Sequence, residues 1–111
     1  MKVSPLPDDA DALIAFAEGV ATVLAEKKEE LGVSAELERL LRSSIVSATV
    51  EVSTYTVVAA CAKKSAVAEG YVALAKARCN RSLQKLRRRL TRTIGQLSRL
   101  IEEKALSEIS I

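Results

Sequence analysis

The sequence predicts an all-α fold: a three-helix antiparallel bundle, assembled as an oligomer into a larger helical bundle. Three observations carry this reading. Both prolines fall within the first seven of 111 residues and only four glycines occur, too little turn punctuation for an all-β chain. Apolar residues recur at helical spacing through three successive segments. The core must also be aliphatic, because the aromatics are Phe16, Tyr55 and Tyr71 alone. The length fits a single domain over residues 1–111.

The first helix is expected over about 8–31. Asp8 or Asp9 can accept from the free N–H groups at its start, and Asp8, Asp9 and Asp11 favour the positive end of the helix dipole. Leu13, Ala17, Val20, Leu24 and Leu31 form its apolar stripe, with Ile14, Phe16 and Val23 beside it. Asp11, Glu18, Glu26 and Glu29 take the opposite face. In "LGVS", Gly32 suits the left-handed position that ends a helix and Ser34 suits the next N-cap.

The second helix is expected over about 34–65. One stripe runs Leu37, Leu41, Ile45, Ala48, Val52, Tyr55, Ala59 and Ala62. A second, of Val46, Val50, Val57 and Cys61, lies on nearly the opposite side. Its β-branched residues admit a strand as the rival, but no other segment could pair with one, and a lone strand leaves its backbone groups unmatched.

The next break is placed in "KKSAVAEG", with Ser65 as a cap and Gly70 as the turn. This makes helices 2 and 3 an antiparallel hairpin and, if the turn centres near Gly70, sets Cys61 level with Cys79. The rival is one uninterrupted rod from Ser34 onward. The third helix is expected over about 68–107. Its seam is Val72, Cys79, Leu83, Leu86, Leu90, Ile94, Leu97 and Ile101, running through Gly95 without a break, and the tail "EEKALSEISI" continues helical before fraying.

Charge is distributed unevenly. Residues 1–33 carry 3 basic and 7 acidic side chains, whereas residues 63–99 carry 11 basic and 1 acidic; the whole chain nets +3. Within "RCNRSLQKLRRRLTR", residues 78–92, seven basic residues stand with no acidic one. On a helical wheel Arg81, Lys85, Arg88, Arg92 and Arg99 form a ridge about 180° from the leucine seam. Arg78 and Arg89 flank it, and Arg87 lies nearer the seam. Such a face can be solvated, can meet an acidic protein surface, or can bind phosphates, for which arginine is well shaped. The candidate polyanion-binding residues are Arg78, Arg81, Lys85, Arg88, Arg92 and Arg99. No aromatic is interleaved for base stacking, so any nucleic-acid contact would run through the backbone.

Helix 2 carries two apolar faces where a three-helix monomer needs one. Between Arg42 and Lys63 only Glu51 is charged. A neighbouring subunit is the natural cover, so a homo-oligomer is expected, a dimer first, with Val46, Val50, Val57 and Cys61 at its interface.

Enzyme chemistry is not expected. The chain has no histidine, and Cys61 and Cys79 have neither a base partner nor CxxC spacing. No metal, cofactor or small-molecule substrate is expected, and both thiols are read as free and buried. The weakly charged stretch 43–62 contains seven Ser or Thr and Glu51, which reads as too polar for a membrane span. The N-terminus has no signal-peptide pattern, so a cytoplasmic location is expected.

"PDDADALIAFA", "LGVSAE" and "AKARCNRSLQKLRRRLTRTI", across roughly residues 7–95, resemble uncharacterised bacterial proteins that begin with a small helical region. The resemblance implies a helical bundle and carries no activity and no site residue. Where those proteins tend to place a tryptophan in the first helix, this chain has Phe16. Function is therefore read as a structural or protein-interaction module forming a homo-oligomer, with nucleic-acid or polyanion binding through the last helix as the alternative.

Overall fold

A computed structural model describes residues 6–64 and 69–109. Within them the chain forms three helices, α1 (Ala10–Leu31), α2 (Ala35–Ala62) and α3 (Glu69–Ile109), and no strand. The expected boundaries agree with these to within about three residues.

The start of α1 is fixed by Asp9, whose Oδ2 accepts from the Ala12 amide at 3.0 Å. Its end is fixed by Gly32 at φ 70°, a conformation that costs a residue with a Cβ. The Val33 amide then donates to the Lys28 carbonyl at 2.8 Å, closing the turn. Ser34 holds the extended N-cap backbone of α2, but its side chain makes no capping bond.

α2 and α3 pack as an antiparallel pair, which overturns the single-rod alternative. Three cross-helix proximities fix the register. Glu36 and Gln96 line one cleft, Ser44 and Arg88 another, and Glu51 acts electrostatically on Cys79. Cys79 therefore sits level with Glu51 and not with Cys61. Gly70 is likewise not the break but lies inside the first turn of α3. Ser65 falls outside the described residues.

α1 runs parallel to the later part of α3. Near its start, Arg87 donates to the Asp8 carbonyl at 3.2 Å; near its end, Lys104 Nζ donates to Glu30 at 3.1 Å. That bond and the Lys104 charge hold the Glu30 carboxyl below its ordinary range.

The core lies where all three helices overlap. Leu13, Ala17, Ala21 and Leu24 of α1 meet Leu41, Ile45 and Ala48 of α2 and Leu86 and Leu90 of α3. Thr93 is buried among them and satisfies its hydroxyl on the Arg89 carbonyl at 2.7 Å. Beyond Ala48 no α2 residue is buried; on the facing part of α3 only Ala75 and Cys79 are. The molecule is thus a three-helix bundle that continues at one end as a bare two-helix hairpin. That shape explains its 69 Å length and its radius of gyration of 18.0 Å, against about 13 Å for a compact chain of this size.

The seam expected on α3 holds through Leu97 but outruns its cover. Ile101 is 54% exposed and lines an open groove between α1 and α3.

Candidate functional site

Three surfaces are left without an internal partner. The first is the second face of α2. Val46, Val50 and Val57 are 63%, 55% and 62% exposed, and Cys61 is exposed beside them. The four residues span about 22 Å at 1.5 Å per residue. The first α2 stripe packs inward, so the two faces predicted by periodicity are separate, and only one is used within the chain. Thr54 falls on the open face, but its hydroxyl donates to the Val50 carbonyl at 2.9 Å. Its hydrogen bonding is met within the helix, leaving a methyl-bearing surface that is cheap to desolvate.

The burial expected for Cys61 is corrected here: it lies on the far side of α2 from the α3 contact. Cys79 is buried, and desolvation, aided by the Glu51 carboxylate, pushes its thiol up from the ordinary range.

The second surface is an apolar groove of about 640 Å³ between α1 and α3, lined by Phe16, Gly19, Val20, Val23, Ile94, Leu97 and Ile101. Sequence reasoning missed it. Phe16 and Val23 look like flanks of the α1 stripe, and Ile94 and Ile101 look like members of a closed seam. The groove depends on how α1 and α3 lie beside each other between the Arg87–Asp8 and Lys104–Glu30 contacts, which one-dimensional spacing does not encode.

The third is the basic ridge. All six candidates, Arg78, Arg81, Lys85, Arg88, Arg92 and Arg99, are exposed. Among the described residues none makes an ion pair or a side-chain hydrogen bond. The pairs that do form lie elsewhere: Lys27 and Lys104 on Glu30, Lys28 and Arg42 on Glu38, and Arg39 on Glu36. Hydrogen bonds from Arg42 and Arg39 hold the Glu38 and Glu36 carboxyls below their ordinary range. Acidic α1 contacts α3 through Arg87 and Lys104, on the other side from the ridge, and so does not neutralise it.

Where the ridge meets α2, Lys85, Arg88, Arg89 and Arg92 line a cleft of about 340 Å³ with Ser44 and no acidic residue. Arg78 and Arg81 lie toward the hairpin end, outside it. Arg89, Arg92 and Arg99 line a neighbouring cleft of about 740 Å³ at the N-terminus of α2, shared with Glu36 and Glu103.

α2 is also, by length and composition alone, long and apolar enough to cross a membrane, with a mean hydropathy of 1.5 over an 18-residue window. Its Thr49, Thr54 and Thr56 hydroxyls each donate to a carbonyl one turn back, and the segment carries the Glu51 and the seven Ser or Thr on which the expectation of too polar a span rests. Comparisons with protein families, with curated proteins and with solved structures returned no match.

Proposed function

We propose that this chain is a non-enzymatic helical module that assembles with a second copy of itself, burying the open face of α2. The observation that carries the reading is the line Val46, Val50, Val57 and Cys61, apolar and solvent-facing on a helix whose opposite stripe is already packed. The surface area supports it. The chain exposes 7859 Å², roughly 1,900 Å² more than the ~5,900 Å² of a compact monomer of its mass. A standard interface removes about 800 Å² from each partner. Elongation creates this excess, and side-by-side pairing of two elongated hairpins is a direct way to cover it.

Small residues around the valines, Ser47, Ser53 and Thr54, let helices approach closely, and with no charge on the line itself two copies meet there without repulsion. A two-fold pairing uses the same patch on both partners.

Thiol labelling tests the assigned face. With assembly, the rate at which a maleimide modifies Cys61 falls as protein concentration is raised from about 1 to about 100 μM, because mass action fills the interface. Cys79 stays slow throughout, since its own fold covers it. A Cys61 rate independent of concentration, in a chain that does associate, would place the interface elsewhere.

A further inference from the structure

We infer that the cleft formed by Ser44 of α2 and Lys85, Arg88, Arg89 and Arg92 of α3 is a phosphate-binding site, the centre of a docking surface for double-helical nucleic acid. The inference is independent of self-association through α2, because it uses the face of α2 toward α3 and the outer ridge of α3.

The first argument is electrostatic. Lys85, Arg88, Arg89 and Arg92 place four positive charges within two turns of one helix, and Arg88 and Arg92 are a like-charged i,i+4 pair. A folded chain usually relieves such crowding with nearby carboxylates. Here Glu30 of α1 and Glu36 and Glu38 of α2 are engaged with Lys27, Lys28, Arg39, Arg42 and Lys104, and among the described residues no carboxylate pairs with these four cations. The cleft itself is lined by none. Arg89 and Arg92 also border the neighbouring cleft that holds Glu36 and Glu103, but no ion pair forms there with either, so an anion in the cleft supplies the missing counter-charge.

The second argument is shape. The cations do not merely fan into solvent: they converge with a hydroxyl in a concave space of about 340 Å³, large enough for a phosphodiester group. Guanidinium groups present paired donors to phosphate oxygens, and Ser44 adds a neutral donor from the opposite wall. From Arg78 to Arg99 the ridge extends about 31 Å at 1.5 Å per residue, close to one turn of duplex at about 3.4 Å per base pair. No aromatic side chain lies between the ridge cations in sequence, so the surface lacks the stacking platform that single strands use. Contacts of this kind position a duplex without reading its bases.

The test is fluorescence anisotropy with a labelled mixed-sequence DNA duplex of about 20 base pairs, titrated with the full chain at several salt concentrations. If the four cleft cations neutralise four phosphates, raising salt from about 50 to about 200 mM weakens binding roughly 100-fold. In the double variant Arg88→Gln/Arg92→Gln only two remain, and the same change in salt weakens binding roughly tenfold. Removing a like-charged pair relieves repulsion, so the variant folds as well as the parent by circular dichroism and keeps the parent's mass by light scattering. Three results of the titration would overturn the inference: no anisotropy change at low salt, a salt slope unaltered in the variant, or equal displacement of the duplex by polyglutamate. The last would assign the ridge to acidic proteins. Loss of the assembled mass in the variant would assign it to subunit pairing, which also overturns it.

Discussion

Val50→Glu converts the assembled protein to a monomer while leaving its helices intact. In the single chain Val50 is 55% exposed on the open face of α2, so a glutamate there reaches water. Glutamate is also a somewhat better helix former than valine. The cost appears only on pairing. Two-fold symmetry brings one new carboxylate from each copy into the same apolar patch, and a buried charge without a partner costs several kcal/mol. Since about 1.4 kcal/mol is tenfold in an equilibrium constant, a dimer of ordinary micromolar affinity is lost. The expected result is unchanged helical circular dichroism with the mass halved. A variant that loses helicity as well would mean that Val50 belongs to the core of the single chain.

Leu90→Ala is expected to be among the most damaging truncations in the core. Leu90 is fully buried where α3 meets the other two helices, in one cluster with Leu13, Leu24 and Leu41. Truncating such a leucine costs about 2–5 kcal/mol, from lost transfer energy and the cavity left behind. Because that cluster is confined to one end, few other contacts can compensate. Domains of this size have about 5–15 kcal/mol in total, so the variant loses a large fraction of its stability. The comparison is Ile109→Ala, at a position 79% exposed, which changes stability by less than about 0.5 kcal/mol. Denaturant unfolding of the two variants reads the difference; equal midpoints would contradict the location of the core.

The helices were legible because their signals are local. Asp9 caps and Gly32 terminates α1 as their chemistry dictates, and the first stripe of α2 packs as its spacing dictates. The hairpin turn was less legible. Gly70 looked like the break, yet a single glycine near a helix start costs only about 1 kcal/mol, and the packing of α3 on α2 outweighs it. Cys61 was misread because its residue type favours burial, although its own position on the second stripe of α2 already set it away from the seam. The exposure of all six ridge cations followed directly from the wheel. Their convergence with Ser44 did not, because Ser44 and Arg88 are 44 positions apart and meet only through the antiparallel register. The α1–α3 groove was illegible for the same reason: it is a property of how two helices pack and not of any one helix.

The most direct test of self-association is the mass of the unmodified chain in detergent-free buffer, by light scattering at high micromolar concentration. Pairing through α2 predicts about twice the 11.9 kDa of one chain, falling toward one chain on dilution. A mass of 11.9 kDa at every concentration, or a protein that stays in solution only with detergent or lipid, would contradict it. The second outcome would assign the open face of α2 to a bilayer.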